Sequence, residues 1–257
     1  LINQNTIALV TGASRGIGAE IAREFARQGA SVILAARTLD EIETIAAEIT
    51  EGGGTADAVQ CDVSNYNDVA AAVALCTRNY GHLDVLVNNA GIIDPIALLT
   101  DSAPDAWGRV VDVNIKGVYN GMRAALPTME AQGSGIIINM SSGAANSALE
   151  GWSHYCSTKA AVKSLTRCAD KEVRSKGIRV VGLSPGPVAT DMFTAIQASG
   201  INPVSQLDPS AAIPVSWPAR AAVWLCSDEA AKFAGTDFSI KDDEGRQRVG
   251  LNVTEAA

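Results

Sequence analysis

Short β-branched runs alternate along the chain with longer stretches of helical period, and this alternation restricts the fold more than any other feature of the sequence. A strand–helix–strand repeat of this kind builds a parallel sheet covered by helices on both faces. Segments 7–10, 31–35, 55–60, 85–88, 136–140 and 179–183 read as strands, with a weaker one at 237–240. Segments 17–28, 40–51, 66–80, 104–129, 155–176 and 218–227 read as helices. Gly29, Gly52-Gly53-Gly54 and Gly81 stop the first three, and Pro104 and Pro218 sit at helix starts. No linker or repeat divides the 257 residues, which predicts a single doubly wound, Rossmann-type α/β domain with a mostly parallel sheet of about seven strands. Segment 192–217 breaks the rhythm with Pro203, Pro209, Pro214 and Gly200, and reads as a loop or short-helix excursion forming a lid beside a site.

Composition narrows the partners. A formal net charge of −8 without any Lys/Arg block disfavours nucleic acid and anionic membrane. The five cysteines, Cys61, Cys76, Cys156, Cys168 and Cys226, form no C-x-x-C pair, and there are only 2 histidines, so neither a disulfide framework nor a metal site is expected. Leu1-Ile2-Asn3-Gln4-Asn5 lacks the charged and apolar regions of a secretory leader, and no uninterrupted apolar run approaches ~20 residues. A cytoplasmic chain without a membrane span is the expectation.

The first strand runs into Thr11-Gly12-Ala13-Ser14-Arg15-Gly16-Ile17-Gly18 and then a helix. Glycines at such a turn let backbone N–H groups approach a pyrophosphate, whose charge the helix dipole favours. A loose glycine pattern alone is weak, because a plain strand-to-helix turn uses the same residues. Its place after the first strand favours the dinucleotide reading. The second strand ends in Ala35-Ala36-Arg37, where an acid would bond the ribose 2′-hydroxyl of NAD. Arg37 and Arg15 would instead bracket a 2′-phosphate, so NADP(H) is preferred, with NAD(H) possible.

Tyr155-Cys156-Ser157-Thr158-Lys159 sets a phenol and an ammonium one helical turn apart. A nearby cation favours phenolate and would bring the phenol pKa toward the working range. Strand 136–140 ends in Ser141-Ser142-Gly143, which places a hydroxyl at the carboxyl edge of the sheet. No Gly-x-Ser-x-Gly elbow surrounds either serine, so a hydrolase nucleophile is disfavoured, and His82 and His154 lack an acid–nucleophile setting.

Taken jointly, Thr11-Gly12-x-x-x-Gly16-Ile17-Gly18, Cys61-Asp62-Val63, Asn88-Asn89-Ala90-Gly91, Asn114, Ser142, Tyr155-x-x-x-Lys159 and Pro185-Gly186-Pro187-Val188-Ala189-Thr190 resemble the short-chain dehydrogenase/reductase family, classical type, over residues 6–240. The resemblance implies Tyr155 as general acid in reduction and base in oxidation, with Ser142 polarising the carbonyl. It implies Lys159 on the nicotinamide ribose, and Asn114 holding a water that continues the proton relay. Asp62 and Val63 would contact adenine, Asn89, Ala90 and Gly91 would line the cleft, and Pro185, Gly186, Val188 and Thr190 would embrace the nicotinamide end. The implied reaction interconverts a small-molecule carbonyl and alcohol, in a homodimer or homotetramer. The chain departs from the family pattern at its end, where Phe238-Ser239-Ile240 leads into the charged Lys241-Asp242-Asp243-Glu244-Gly245-Arg246.

Two other readings stay on the table. A non-catalytic dinucleotide sensor on the same fold has no need of Asn114, Ser142, Tyr155 and Lys159 together. A methyltransferase predicts an acid after the second strand, where this chain has Arg37.

Overall fold

The structure, a computed structural model, describes residues 2–251. Among them seven strands form one sheet: β1 (Ile7–Thr11), β2 (Ser31–Ala36), β3 (Thr55–Gln60), β4 (Val85–Asn88), β5 (Gly135–Met140), β6 (Ile178–Ser184) and β7 (Asp237–Ser239). Their order is β3-β2-β1-β4-β5-β6-β7, and all neighbouring pairs are parallel. The helices are α1 (Gly16–Arg27), α2 (Leu39–Glu51), α3 (Tyr66–Tyr80), α4 (Pro104–Val111), α5 (Gly117–Gln132), α6 (Ser153–Val173), α7 (Asp191–Ser199), α8 (Ser216–Leu225) and α9 (Asp243–Val249).

Strand side chains alternate between faces, so each central strand feeds two cores. Ala8, Val10, Val32 and Leu34 pack with Ile21 and Phe25 of α1, Ile42 of α2 and Leu225 of α8. Ile7, Leu9, Ile33 and Leu86 face Val73 of α3, Met122 and Met129 of α5 and Val162 of α6. Burying each such aliphatic side chain contributes roughly 1.5–3 kcal/mol, which is why these strands read as continuous apolar runs.

The direction of the order reverses between β1 and β4, and in an open α/β sheet that reversal leaves a crevice at the carboxyl ends of the strands. The segments that follow β1, β2, β3, β4, β5 and β6 bring the glycine turn, Arg37, Asp62, Asn89, Ser142 and Pro185 to the carboxyl ends of the strands.

Two elements differ from the sequence reading, the single 104–129 helix and the charged stretch after Ile240, whereas segment 192–217 folds as a short-helix excursion. Segment 104–129 is not one helix: α4 and α5 are separated by a π-helical turn, Asp112–Lys116, closed by Gly117 N–H donating to the Asp112 carbonyl. Periodicity cannot show one inserted residue per turn, and here the insertion turns Asn114 inward, 1% exposed. Segment 192–217 holds most of α7 and two 3₁₀ turns, Pro203–Gln206 and Pro209–Ala211, before α8 begins. Within it Met192 and Ile196 pack in a cluster around Tyr155, whereas Ile213 and Trp217 belong to the main core. The charged stretch after Ile240 folds as α9, capped by Asp242 accepting from Gly245 N–H. The Arg246 guanidinium lies 5.2 Å from the Trp217 ring centre, and Leu251 is buried in the main core.

Candidate active site

The loop after β1 and the loop after β4 are built as one unit. Thr11 Oγ1 accepts from the N–H groups of Asn89 and Ala90, and Asn89 Nδ2 donates to the carbonyls of Thr11 and Gly12. Such closeness requires glycine: a Cβ on Gly18 would lie 2.3 Å from the Gly12 carbonyl oxygen and 2.4 Å from Asn89 Nδ2. Gly12 itself takes φ +63° with Ala90 Cα 2.7 Å from where its Cβ would be. Asn89 thus ties the two loops together at the cradle. At the N-terminus of α1 the Arg15 side chain makes no capping bond, so the first-turn N–H groups around Gly16, Ile17 and Gly18, beside Ser14, stay available to an anion. A pyrophosphate fits this glycine-walled, uncapped turn. Arg15 forms an exposed ion pair with Asp191 at 3.6 Å, and Arg37 stands exposed just past β2.

After β3, Asp62 is held by four bonds. Its Oδ1 accepts from Ser64 N–H and Oγ, its Oδ2 from Arg109 at 2.8 Å, and its own N–H donates to Asp68. Burial would raise this carboxyl, but the bonds from Ser64 and Arg109 outweigh it and hold the pKa at about 2. Asp62 is therefore an anionic acceptor with a fixed direction. Val63 packs on Gly117, and its carbonyl accepts from Asn120. Arg109 and Asn120 are site-shaping residues that sequence reasoning missed, since nothing in their local pattern marks a contact 47 or 57 positions away.

Asn114 is held through both ends of its amide. Its Oδ1 accepts from Ile92 N–H at 2.9 Å, and its Nδ2 donates to the Ile92 carbonyl at 2.9 Å and to Thr158 Oγ1 at 3.2 Å. Thr158 lies between Tyr155 and Lys159 on α6, so this amide joins the β4 loop to the helix that carries them. Gly91 lies where Asn114 and Lys159 converge, the site of its absent Cβ being 3.5 Å from Asn114 Oδ1 and 3.9 Å from Lys159 Nζ.

Tyr155 and Lys159 are 8% and 6% exposed. The Lys159 ammonium donates to the Met140 carbonyl at 2.7 Å and lies 5.6 Å from the Tyr155 ring centre. Ser142 caps the 3₁₀ turn Gly143–Asn146, its Oγ accepting from Ala144 N–H, and it lies close enough to the Tyr155 phenol to draw its pKa down. Burial pushes that phenol up to about 12, against the opposing pull of Ser142. The expectation that the ammonium brings the phenol into the working range is thus not met here: charge proximity is legible in the spacing, desolvation is not. Burial likewise lowers Lys159 to about 8, with Asp237 acting in the opposite direction.

On its other side Tyr155 meets an apolar wall. Trp152 packs edge-on at 5.5 Å between ring centres, with Ile93, Ala144 and Ile196 buried around it and Met192 and Cys156 at its margin. Pro185, Gly186, Val188 and Thr190 follow β6, and Val188 bridges in parallel to Ile213. Lys241 packs against Gly186, its Cγ 3.5 Å from the position a Cβ would take, so the atypical C-terminal segment touches this loop.

A doubly wound parallel sheet with a glycine cradle at its reversal and a Ser–Tyr–Lys cluster beside it defines a dinucleotide-dependent oxidoreductase fold. The profile of the family described as short chain dehydrogenase matches residues 6–200. The chain is 40% identical over 190 residues to the 3-oxoacyl-[acyl-carrier-protein] reductase FabG of Staphylococcus aureus (strain N315), covering 74% of this chain and 77% of that one. It is 39% identical over 243 residues to the oxidoreductase UcpA of Salmonella typhimurium (strain LT2), covering 91% and 92%. A crystal structure of a metagenomic short-chain oxidoreductase in complex with NADP superposes with a TM-score of 0.76 at 30% identity, covering 92% of this chain and 96% of that one. The chain belongs to the short-chain dehydrogenase/reductase family and is an NAD(P)-dependent oxidoreductase. Among the described residues no helix is long and apolar enough to cross a membrane.

Proposed function

We propose that this protein interconverts a carbonyl and an alcohol with NADP(H) as the preferred cofactor, Tyr155 moving the proton. The observation that carries the reading is the burial of the Tyr155 phenol beside Ser142, with the Lys159 ammonium 5.6 Å from the centre of the same ring. The glycine cradle and the uncapped α1 would hold the pyrophosphate, Asp62 and Val63 the adenine, Lys159 the nicotinamide ribose, and the 185–190 loop the nicotinamide end. Bound there, the dinucleotide supplies or accepts the hydride.

The chain's own part is orientation and proton traffic. A phenol held neutral by burial is a proton donor, which suits reduction: it protonates the carbonyl oxygen as charge builds there, while the Ser142 hydroxyl donates to the same oxygen. Lys159, charged below about 8, stabilises the tyrosinate that remains. Asn114 has both N–H donors engaged, so a relay water would be held through its remaining acceptor capacity or its main chain. The wall of Trp152, Ile93, Ile196 and Met192 favours a carbonyl with an apolar substituent.

Arg37, exposed at the β2 edge where an acid would select NAD, supports the 2′-phosphate preference together with Arg15. The test is consumption of NADPH and NADH by the purified protein with a panel of apolar ketones, aldehydes and 3-ketoacyl thioesters. Turnover with a higher kcat/KM for NADPH is expected. Turnover with none of them, or a preference for NADH, overturns the reading or its cofactor assignment respectively.

A further inference from the structure

The turn that presents both Ser142 and the Met140 carbonyl is anchored from two strands away. Asp237, on β7, sits opposite Gly182 of β6, and its carboxylate reaches across that position to accept from Ser141 Oγ at 2.7 Å. Gly182 makes the crossing possible, because a Cβ there would lie 1.9 Å from Asp237 Oδ1. Ser141 is 4% exposed, and its N–H donates to the Leu183 carbonyl at 2.8 Å, so the turn is pinned through both main chain and side chain. The other carboxylate oxygen, Asp237 Oδ1, is buried and has no hydrogen-bond partner. An acceptor left unpaired in a protein interior is costly, and a purely structural tie to Ser141 would be served as well by a neutral side chain.

We propose that Asp237 is a positioning residue for the reaction: through Ser141 it fixes the 140–142 turn that carries the Lys159 acceptor and the Ser142 hydroxyl, and it supplies the negative charge that keeps Lys159 an ammonium. The inference rests on the roles given above to Ser142, Tyr155 and Lys159. The titratable groups bearing on Lys159 are Tyr155 on its own helix and Asp237 on β7. The β5 end and the β4 loop face it with neutral groups, the Met140 carbonyl and Gly91. The Asp237 carboxylate accepts from Ser141 at 2.7 Å and Lys159 donates to the carbonyl of the adjacent Met140 at 2.7 Å, so the two charges meet on one short turn, and the Asp237 charge opposes the burial that disfavours the ammonium.

Two variants separate the geometric part from the electrostatic one. Asp237→Asn keeps an acceptor for Ser141 and removes the charge; Ser141→Ala keeps the charge and removes the bond. The first readout needs no turnover: the ligand-free proteins are labelled at lysine Cε with carbon-13 and titrated by NMR, the Lys159 resonance being assigned by its absence in Lys159→Met. In Asp237→Asn the Lys159 midpoint falls by about one pH unit, and in Ser141→Ala it stays within a few tenths of wild type. The second readout is the pH profile of kcat/KM for carbonyl reduction, whose basic limb moves down in Asp237→Asn alone, while kcat drops in Ser141→Ala without a shift of that limb. Coincident Lys159 titrations in wild type and Asp237→Asn overturn the electrostatic part. An unchanged kcat in Ser141→Ala overturns the geometric part. An inactive wild type with the predicted NMR shift would count against the proposed reaction and leave the Asp237–Lys159 coupling standing.

Discussion

The Lys159 ammonium donates to the Met140 carbonyl at 2.7 Å while lying 5.6 Å from the centre of the Tyr155 ring, so helix α6 delivers a buried cation to the end of β5. Its pKa, lowered to about 8 chiefly by burial, fixes the sense of the pH dependence. As pH rises through about 8 the ammonium is lost, and with it the stabilisation of a developing tyrosinate. The kcat/KM for carbonyl reduction is therefore expected to fall on the basic side with an apparent pKa near 8, and a profile flat up to pH 10 would contradict this.

The same burial sets a stability signature. Between about 8 and 10.5 the unfolded chain holds a proton on Lys159 that the folded chain has released, so this group's contribution to stability rises with pH across that window. Tyr155 acts the other way at higher pH: its stabilising contribution is complete below 10 and is lost as pH rises through about 12. Lys159→Met, which removes the buried charge, is expected to raise the stability of the ligand-free protein at neutral pH by roughly 1–3 kcal/mol while abolishing reduction. Urea unfolding measures the first effect and NADPH consumption the second.

Asn114 joins two elements that sequence separates. Asn114→Ala leaves Ile92 N–H, Ile92 C=O and Thr158 Oγ1 short of a partner, and an expected cost of about 2–4 kcal/mol should appear as a lower Tm. A thermal shift of less than a degree would mean that water replaces the amide without loss.

Asp191 partly neutralises Arg15, and Arg15 is assigned to the 2′-phosphate. Removing the acid in Asp191→Ala should tighten NADPH binding by about 2–5-fold, consistent with an exposed ion pair, and leave NADH binding unchanged. Fluorescence titration with both cofactors at low salt decides it: an equal change for both would detach Arg15 from cofactor selection.

Much of this arrangement was legible beforehand because its causes are local. The β-branched runs give the strands, and the glycine spacing gives the cradle at Gly12 and Gly18. The four-residue offset puts Tyr155 and Lys159 on one face of α6. What escaped has non-local causes. A π turn at Asp112–Lys116 leaves no mark on apolar period, and α9 hides in a charged stretch that docks through Arg246 on the Trp217 ring and a single apolar residue, Val249. The clamp of Asn89 on the Gly12 loop, the Arg109 bond to Asp62 and the reach of Asp237 to Ser141 span 77, 47 and 96 positions. Desolvation of Tyr155 depends on Trp152 and Ile196 closing over it, and no spacing rule contains that.

The central claim is that the Tyr155 phenol is the proton donor, and Tyr155→Phe tests it most directly, because the ring and its packing on Trp152 are kept. With NADPH prebound and an accepted ketone added, the single-turnover rate of reduced-nicotinamide loss is expected to fall by about 10²–10⁴-fold, with the NADPH Kd within about 2-fold of wild type. A variant that reduces the ketone within about 10-fold of the wild-type rate would contradict the account.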